Sequence, residues 1–251
     1  MTKNAKLALS LLDLTSLSDD DTNESIQALC SKAVTPFTSV AAVCVYPPFL
    51  PVCQDELKGQ DVNFAAVANF PSGDEGLEAA ISQTKNIIAL GGNEVDLVIP
   101  YKEWIAGNKD SAPEMIRTCK DICGNQVALK VILESGAFDD MDSLYDLSIA
   151  AINAGADFIK TSTGKTNVSA TIKAAQTMLK AIKDSGKNCG FKASGGIRTH
   201  AQAVEYMELA QSIMGENWVC ADNFRFGASG LLTDLLSVLG QATDSEQKST
   251  Y

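Results

Sequence analysis

The sequence predicts an α/β fold, a single (β/α)8 (TIM) barrel over residues 1–251 with a short extra helix at its N-terminus. Eight strand-like segments recur near residues 13, 43, 66, 97, 130, 158, 191 and 225, and a helical pattern follows each one. Their spacing of about 23 to 34 residues is typical of βα units, and the mostly apolar strands indicate a parallel sheet covered on both faces. A chain of 251 residues also fits one such barrel. A doubly wound open sheet is the alternative fold.

The first half of the chain contains four of these strands. Acidic and hydroxyl side chains at 19–22 offer N-caps for the first repeating helix, and Pro47-Pro48 stops the second strand. Gly91-Gly92 closes the clearest helix, whose apolar side includes Leu77 and Ile81. The predicted elements are helices over 4–12, 19–33, 50–57 and 75–90, and strands over 12–15, 40–46, 63–70 and 94–100.

The second half repeats the pattern without a linker or a second domain. Ala154-Gly155-Ala156 turns the chain before the sixth strand, and Gly186 ends the helix that follows it. The predicted elements are strands over 127–133, 157–160, 189–192 and 223–226, and helices over 113–123, 140–154, 169–184, 199–214 and 231–239. Residues 241–251 are polar and are predicted to form a mobile tail.

The charge balance excludes some partners. The net charge is −11, from 20 Lys plus Arg against 31 Asp plus Glu, whereas nucleic acids and anionic membrane surfaces require a basic face. A small phosphorylated substrate remains compatible, because it needs only backbone amides and one or two cations. Residues 7–12 form too short an apolar run for a signal core, and no run approaches the length of a membrane span. Seven cysteines without C-x-x-C pairs indicate reduced thiols, so we expect a cytoplasmic protein.

The histidine count bears on metal chemistry. His200 is the only histidine, which argues against a zinc site built from several imidazoles. It stands beside Thr199 at a predicted helix start, and we interpret it as an ordinary surface residue. The sequence therefore predicts no metal site.

The most informative stretch is 157–165, where a buried strand ends on Lys160. An ammonium at such a position loses hydration, and amine attack on a carbonyl is the chemistry that uses it. An ordinary lysine, with a pKa of about 10.4, is neutral in only about one copy in 2,500 at pH 7. Burial and a second cation are the usual means of lowering that pKa, and Lys192 ends another short strand. The alternative is that either lysine reaches solvent from its strand end.

Three further charged residues fall at or within strands. Asp13, Asp96 and Lys130 should meet the two lysines at the carboxyl ends of the barrel strands, where barrel enzymes carry out catalysis. Asp96 would be costly if unpaired, so it should face the lysines; an inert buried pair of Asp96 with Lys130 is the alternative. Cys44, inside the second strand, is interpreted as a core residue rather than a nucleophile.

Two glycine-rich segments predict an anion site. Residues 195–198 (GGIR) follow the seventh strand and residues 227–230 (GASG) follow the eighth. Glycines let backbone N–H groups approach an anion, and the loops after strands seven and eight often hold phosphate in barrels. The alternative is that these segments only join strand to helix.

Several stretches resemble deoxyribose-phosphate aldolases over nearly the full chain. They are LLDLTSLSDDDT (11–22), EVDLVIPY (94–101), LKVILE (129–134), ADFIKTSTGK (156–165), GFKASGGIR (190–198) and RFGASG (225–230). The resemblance implies a (β/α)8 barrel without metal or organic cofactor. It also implies reversible cleavage of 2-deoxy-D-ribose 5-phosphate to acetaldehyde and D-glyceraldehyde 3-phosphate.

The resemblance also assigns roles. It implies that Lys160 forms the Schiff base, that Lys192 keeps Lys160 neutral and that Asp96 moves protons through water, with Lys130 and Asp13 in support. The predicted substrate- and phosphate-binding residues are Thr15, Thr163, Gly164, Lys165, Gly195, Gly196, Arg198, Gly227 and Ser229.

Two positions qualify the resemblance. Gly230 departs from it, because bacterial relatives often have a second serine there; the loss of a hydroxyl predicts weaker phosphate binding. Tyr251 matches a terminal tyrosine that is implicated in proton transfer in some relatives, but a disordered terminus is the equal alternative.

The predicted partners are small phosphosugars and aldehydes, and a homodimer is one assembly that the sequence leaves open. The sequence leaves two alternative functions open. One is a lysine-dependent barrel aldolase acting on a different phosphosugar, and the other is a catalytically silent barrel that binds a phosphorylated metabolite.

Overall fold

Eight parallel strands close into a barrel in chain order. The computed structural model describes residues 2–248, with side chains described for residues 2–240. The strands are β1 (Leu12–Thr15), β2 (Ala42–Val45), β3 (Asn63–Ala68), β4 (Glu94–Val98), β5 (Ala128–Ile132), β6 (Phe158–Lys160), β7 (Gly190–Ser194) and β8 (Phe224–Ala228). Because β8 pairs with β1, with Asp13 opposite Gly227, the barrel has no edge strand. The predicted barrel is confirmed and the open-sheet alternative is wrong.

Helices follow the strands and form the outer layer. They are α1 (Thr2–Ser10), α2 (Asn23–Cys30), α3 (Leu50–Glu56), α4 (Leu77–Ala89), α5 (Tyr101–Ile105), α6 (Ser111–Cys123), α7 (Met141–Asn153), α8 (Ile172–Ser185), α9 (His200–Met214) and α10 (Leu231–Lys248). Two differ from prediction: α5 was not predicted, because five residues are too few for a helical period, and α10 continues past residue 239 to Lys248. None of the helices within residues 2–248 is both long and apolar enough to cross a membrane.

Local capping chemistry sets where several helices begin and end. The Thr22 side chain accepts a hydrogen bond from the Ser25 N–H, and Thr199 forms the same kind of capping box with Gln202. Gly186 follows α8 at a left-handed φ of 62°, which glycine adopts without a Cβ clash. These caps fix where the chain enters and leaves the outer layer.

The predicted N-terminal helix is confirmed. α1 packs against α9 and α10, and it buries Ala5, Ala8 and Leu9. It therefore lies beside the helices that flank the last strand, next to the point where the barrel closes.

The apolar core lies between the strands and the helices rather than inside the barrel. On β4, Val95 and Leu97 belong to this outer core, whereas the alternating residues Glu94 and Asp96 face the interior with the other buried charges. A small apolar cluster that includes Cys44 and Val67 occupies one side of the interior. The charged side chains described next also face the interior.

Candidate active site

Asp96 is the centre of a buried group of lysines. Its Oδ2 accepts hydrogen bonds from Lys160 Nζ and Lys192 Nζ, each at 2.7 Å, and its Oδ1 lies 3.4 Å from Lys130 Nζ. β6 and β7 place Lys160 directly opposite Lys192, and β4 and β5 place Asp96 opposite Lys130. Lys192 is fully buried, and Lys160 is only 3% exposed, at the wall of the cavity described below. Asp96 contacts three lysines rather than Lys130 alone. The two lysines therefore do not extend to the outer surface, and Asp96 bridges them while it also lies near Lys130.

The pKa of the Lys160 ammonium lies below that of an ordinary exposed lysine. Burial lowers the pKa of its ammonium below the ordinary value, Asp96 opposes this shift, and the nearby positive charge of Lys192 adds to it. The net shift is downward, so the fraction of neutral amine is larger than in an exposed lysine.

The pKa of Lys192 shifts in the opposite direction, above the ordinary value. Burial lowers its pKa, but attraction to Asp13 and Asp96 outweighs burial, so the pKa is raised. Its Nζ lies 2.5 Å from Asp13 Oδ2 in addition to its bond to Asp96. Lys192 is therefore a persistent cation beside Lys160.

Asp13 and Lys130 complete the set of predicted interior charges. Lys130 Nζ donates to Asp13 Oδ2 at 2.8 Å. Burial raises the pKa of Asp13, but Lys130, Lys192 and Arg225 together hold it well below its usual range. Both residues are fully buried, and neither lines the cavity described below.

Two members of this network were missed by sequence reasoning. Arg225 donates to Asp13 Oδ1 at 2.8 Å and to Glu94 Oε1 at 3.1 Å, and Glu94 also accepts from Lys130. Glu94 begins β4 and lies two residues before Asp96, so the period of two along a strand would have placed both carboxylates on one face. Arg225 stands opposite Lys192 in the register of β7 and β8.

A cavity of about 570 Å³ opens above this network, at the carboxyl ends of the strands. Lys160 is the one member of the network in its wall, among the residues that the structure describes. All of the residues predicted to bind substrate or phosphate also line it: Thr15, Thr163, Gly164, Lys165, Gly195, Gly196, Arg198, Gly227 and Ser229. The structure brings these residues together with Lys160, and their roles stay predictions.

The two glycine-rich loops meet at one side of the cavity. The Gly195 N–H donates to the Gly227 carbonyl at 3.3 Å, and Gly195 and Gly196 have left-handed φ angles of 81° and 82°. α10 starts at Leu231, just after the second loop, so the positive end of its dipole lies at the cavity wall. Loops of this construction suit an anion.

A buried carboxylate positions the loop after β6. Glu134 accepts from the Thr163 hydroxyl at 2.5 Å, the Thr163 N–H at 3.3 Å and the Thr166 hydroxyl at 3.2 Å. Lys165 Nζ donates to the Leu17 carbonyl at 2.7 Å, which ties the same loop to the segment after β1. Sequence reasoning missed Glu134, a single polar residue after a buried strand.

Ser194 is another cavity residue that was not predicted. It is the last residue of β7, is buried, and its Oγ has no hydrogen-bond partner within the described part of the chain. A Cβ added to Gly227 would lie 2.2 Å from this Oγ and 3.0 Å from Lys192 Cε. Glycine at 227 therefore leaves room for Ser194 and Lys192 side by side.

Three further residues were singled out in the sequence: Cys44, His200 and Tyr251. Cys44 is buried with its Sγ 3.8 Å from Asp96 Oδ2, and burial, followed by the charge of Asp96, raises its thiol pKa to about 11. His200 is half-buried at the start of α9. Tyr251 lies outside the described residues. Within those residues, no three His, Cys, Asp or Glu side chains are grouped so that they could hold a metal ion.

The fold and the site define a class of protein: a (β/α)8 barrel with a lysine amine in the wall of a cavity where barrel enzymes carry out catalysis. The particular family follows from the family model for DeoC/LacD family aldolases, which matches residues 7–233. The chain belongs to this aldolase family.

Solved structures agree with this assignment. A protein from Coccidioides immitis assigned as a deoxyribose-phosphate aldolase is 27% identical, with a TM-score of 0.82 over 93% of this chain and 86% of that one. A Toxoplasma gondii ME49 protein with the same assignment has 22% identity and a TM-score of 0.88 over 96% and 95% of the two chains. The tetrameric deoxyribose phosphate aldolase of Aeropyrum pernix has 24% identity and a TM-score of 0.79 over 95% and 93%. At these identities the last two comparisons show the shared fold.

Proposed function

We propose that this aldolase catalyses the reversible cleavage of 2-deoxy-D-ribose 5-phosphate to acetaldehyde and D-glyceraldehyde 3-phosphate, through a Schiff base on Lys160. The observation that carries the proposal is the position of the Lys160 amine. It lies in the cavity wall, with its pKa lowered by burial and by Lys192, and within 2.7 Å of the Asp96 carboxylate. An amine so placed is a nucleophile next to a group that accepts and returns protons.

In the synthetic direction, the neutral Lys160 nitrogen attacks the acetaldehyde carbonyl, and the carbonyl oxygen takes up a proton to give a carbinolamine. Lys192 and Asp96 supply and remove protons through water, so that the hydroxyl leaves as water and an iminium forms. Loss of a methyl proton gives an enamine. The enamine carbon attacks the aldehyde of glyceraldehyde 3-phosphate, and hydrolysis of the new iminium frees the product and restores Lys160.

The glycine-rich loops would hold the phosphate of the acceptor. The start of α10 and the backbone around Gly195 and Gly196 favour an anion in the same cavity as Lys160. Binding energy from that remote group would orient the reacting carbons without taking part in bond formation.

Trapping with borohydride tests the proposal. Acetaldehyde and borohydride should leave a reduced two-carbon adduct on Lys160, identified by mass spectrometry of peptides. A Lys160→Met variant should give no adduct, and Lys173→Met, which changes an exposed lysine on α8, should label like the parent. Active protein that shows no adduct on Lys160 would contradict the mechanism.

The donor assay separates the proposed substrate from other phosphosugars. Turnover with dihydroxyacetone phosphate in place of acetaldehyde would point to a different lysine-dependent aldolase, and absence of turnover with either donor would point to a silent binding barrel.

A homodimer and a cytoplasmic location stay predictions. Light scattering on the purified protein tests whether it is a homodimer.

A further inference from the structure

The interior of the barrel contains one more cation than it has carboxylates to balance. Within the described residues, the buried network consists of four cationic side chains and three carboxylates: Lys130, Lys160, Lys192 and Arg225, with Asp13, Glu94 and Asp96. All are buried, so bulk water screens them weakly. If every group were charged, the network would have an excess of one positive charge, and a neutral Lys160 removes that excess.

Glu94 and Arg225 form the layer of this network furthest from the cavity. Glu94 lies two residues before Asp96 on β4, and neither Glu94 nor Arg225 lines the cavity. Arg225 is held there by the Ala221 carbonyl, and its guanidinium lies 5.7 Å from the centre of the Phe158 ring. Neither side chain bonds to Lys160.

We propose that Glu94 and Arg225 are positioning residues that set, through the charge balance of the buried network, the pH at which Lys160 becomes a free amine. This inference rests on the proposed function, in which Lys160 reacts as an amine. Arg225 donates a hydrogen bond to Asp13 Oδ1, and Lys130 and Lys192 both donate to Asp13 Oδ2. Glu94 accepts hydrogen bonds from Lys130 and Arg225.

Charged or titratable groups reach the surroundings of Lys160 from six strands other than its own. They are Asp13 on β1, Cys44 on β2, Glu94 and Asp96 on β4, Lys130 on β5, Lys192 on β7 and Arg225 on β8. The thiol is neutral at ordinary pH because its pKa is about 11. The pKa of Lys130 and that of Arg225 are raised, since their carboxylate partners outweigh burial, so both stay charged. Lys160 is thus the cation of this network that loses its proton most easily.

Substitutions of Arg225 and Glu94 should shift the titration of Lys160 in opposite directions. Arg225→Gln removes a positive charge, which favours the ammonium form of Lys160, so its titration should move to higher pH. Glu94→Gln removes a negative charge and should move the titration to lower pH. For a buried charge within the same network we expect shifts of about one pH unit. A purely structural role would not give shifts of opposite sign.

The measurement is the initial rate of borohydride trapping of acetaldehyde on Lys160 as a function of pH, read by mass spectrometry. The double variant Glu94→Gln with Arg225→Gln removes one charge of each sign and should return the midpoint to the parent value. Arg225→Lys keeps the charge and should leave the midpoint in place. Controls for each charge change are Lys180→Gln and Asp184→Asn, which alter an exposed ion pair on α8.

The outcomes separate this inference from the proposed function. Opposite shifts in the single variants, with reversal in the double variant, support it. Parent protein that traps on Lys160, combined with single variants whose midpoints are unmoved or move in the same direction, overturns it and leaves the Schiff base intact. No adduct in the parent would instead contradict the proposed function. If Arg225→Gln does not fold, as judged by thermal unfolding, the sign of the Glu94→Gln shift decides.

Discussion

Replacing Lys192 with methionine tests whether the positive charge of Lys192 lowers the pKa of Lys160. Lys160 Nζ and Lys192 Nζ both bond to Asp96 Oδ2 at 2.7 Å, so the two nitrogens are no further apart than twice that distance. Two positive charges roughly 5 Å apart repel by about 3 kcal/mol at an effective dielectric constant of about 20. Without Lys192, Lys160 should therefore hold its proton to a pH about two units higher.

The assay is the pH dependence of both borohydride trapping on Lys160 and aldol turnover. At neutral pH the Lys192→Met variant should trap about 100-fold more slowly than the parent and should recover as the pH rises. Turnover should recover less, because the variant also lacks a proton donor. A midpoint equal to that of the parent, in folded protein, would refute the reasoning. Lys102→Met, which removes an exposed lysine from its pair with Asp74, is the matched control.

Three further predictions concern binding and stability. Gly227→Ala should lower the unfolding free energy by about 1–3 kcal/mol in denaturant titrations, because its Cβ would meet Ser194 Oγ at 2.2 Å, whereas a side chain at Gly230 meets nothing within 4 Å and should be tolerated. Glu134→Gln should raise KM for the phosphorylated substrate more than it lowers kcat, since the carboxylate orders the loop after β6; equal KM values would contradict this. The unfolding free energy should fall as the pH drops below about 3.8, the unfolded value, because the folded pKa of Asp13 is lower, and Asp13→Asn should flatten that acid branch.

The strands and the two buried lysines at strand ends could be predicted because both leave local signals in the sequence. An apolar run that ends on Lys160 or Lys192 is visible in a few residues, and the carboxyl ends of barrel strands meet at one face. α5 (Tyr101–Ile105) could not be found in this way, since five residues do not complete two helical turns. The length of α10 was underestimated because its polar second half has no apolar stripe.

The deeper part of the site required the three-dimensional structure. Arg225 and Glu94 lie near the beginnings of their strands, whereas the prediction of site residues used the carboxyl ends. Their bonding partners are also far away in the sequence. Glu134 has a left-handed backbone conformation, with a φ of 50°, and no residue next to it in the sequence predicts that conformation. Ser194 was part of a recognised stretch, but only its unpartnered hydroxyl and its contact with Gly227 distinguish it.

The bond between Asp13 and Arg225 spans 212 positions of the sequence and crosses the seam between β1 and β8. During synthesis, Lys160 would leave the ribosome long before Arg225 could reach Asp13, so the surroundings that tune its amine are incomplete until the last strand is added. A half-length chain that ends before β7 would lack both Lys192 and Arg225, so Lys160 would have the ordinary, mostly protonated amine of an exposed lysine. Under the proposed function, the reactivity of Lys160 would therefore begin only when the barrel closes, and an unfinished chain would not yet contain an activated amine.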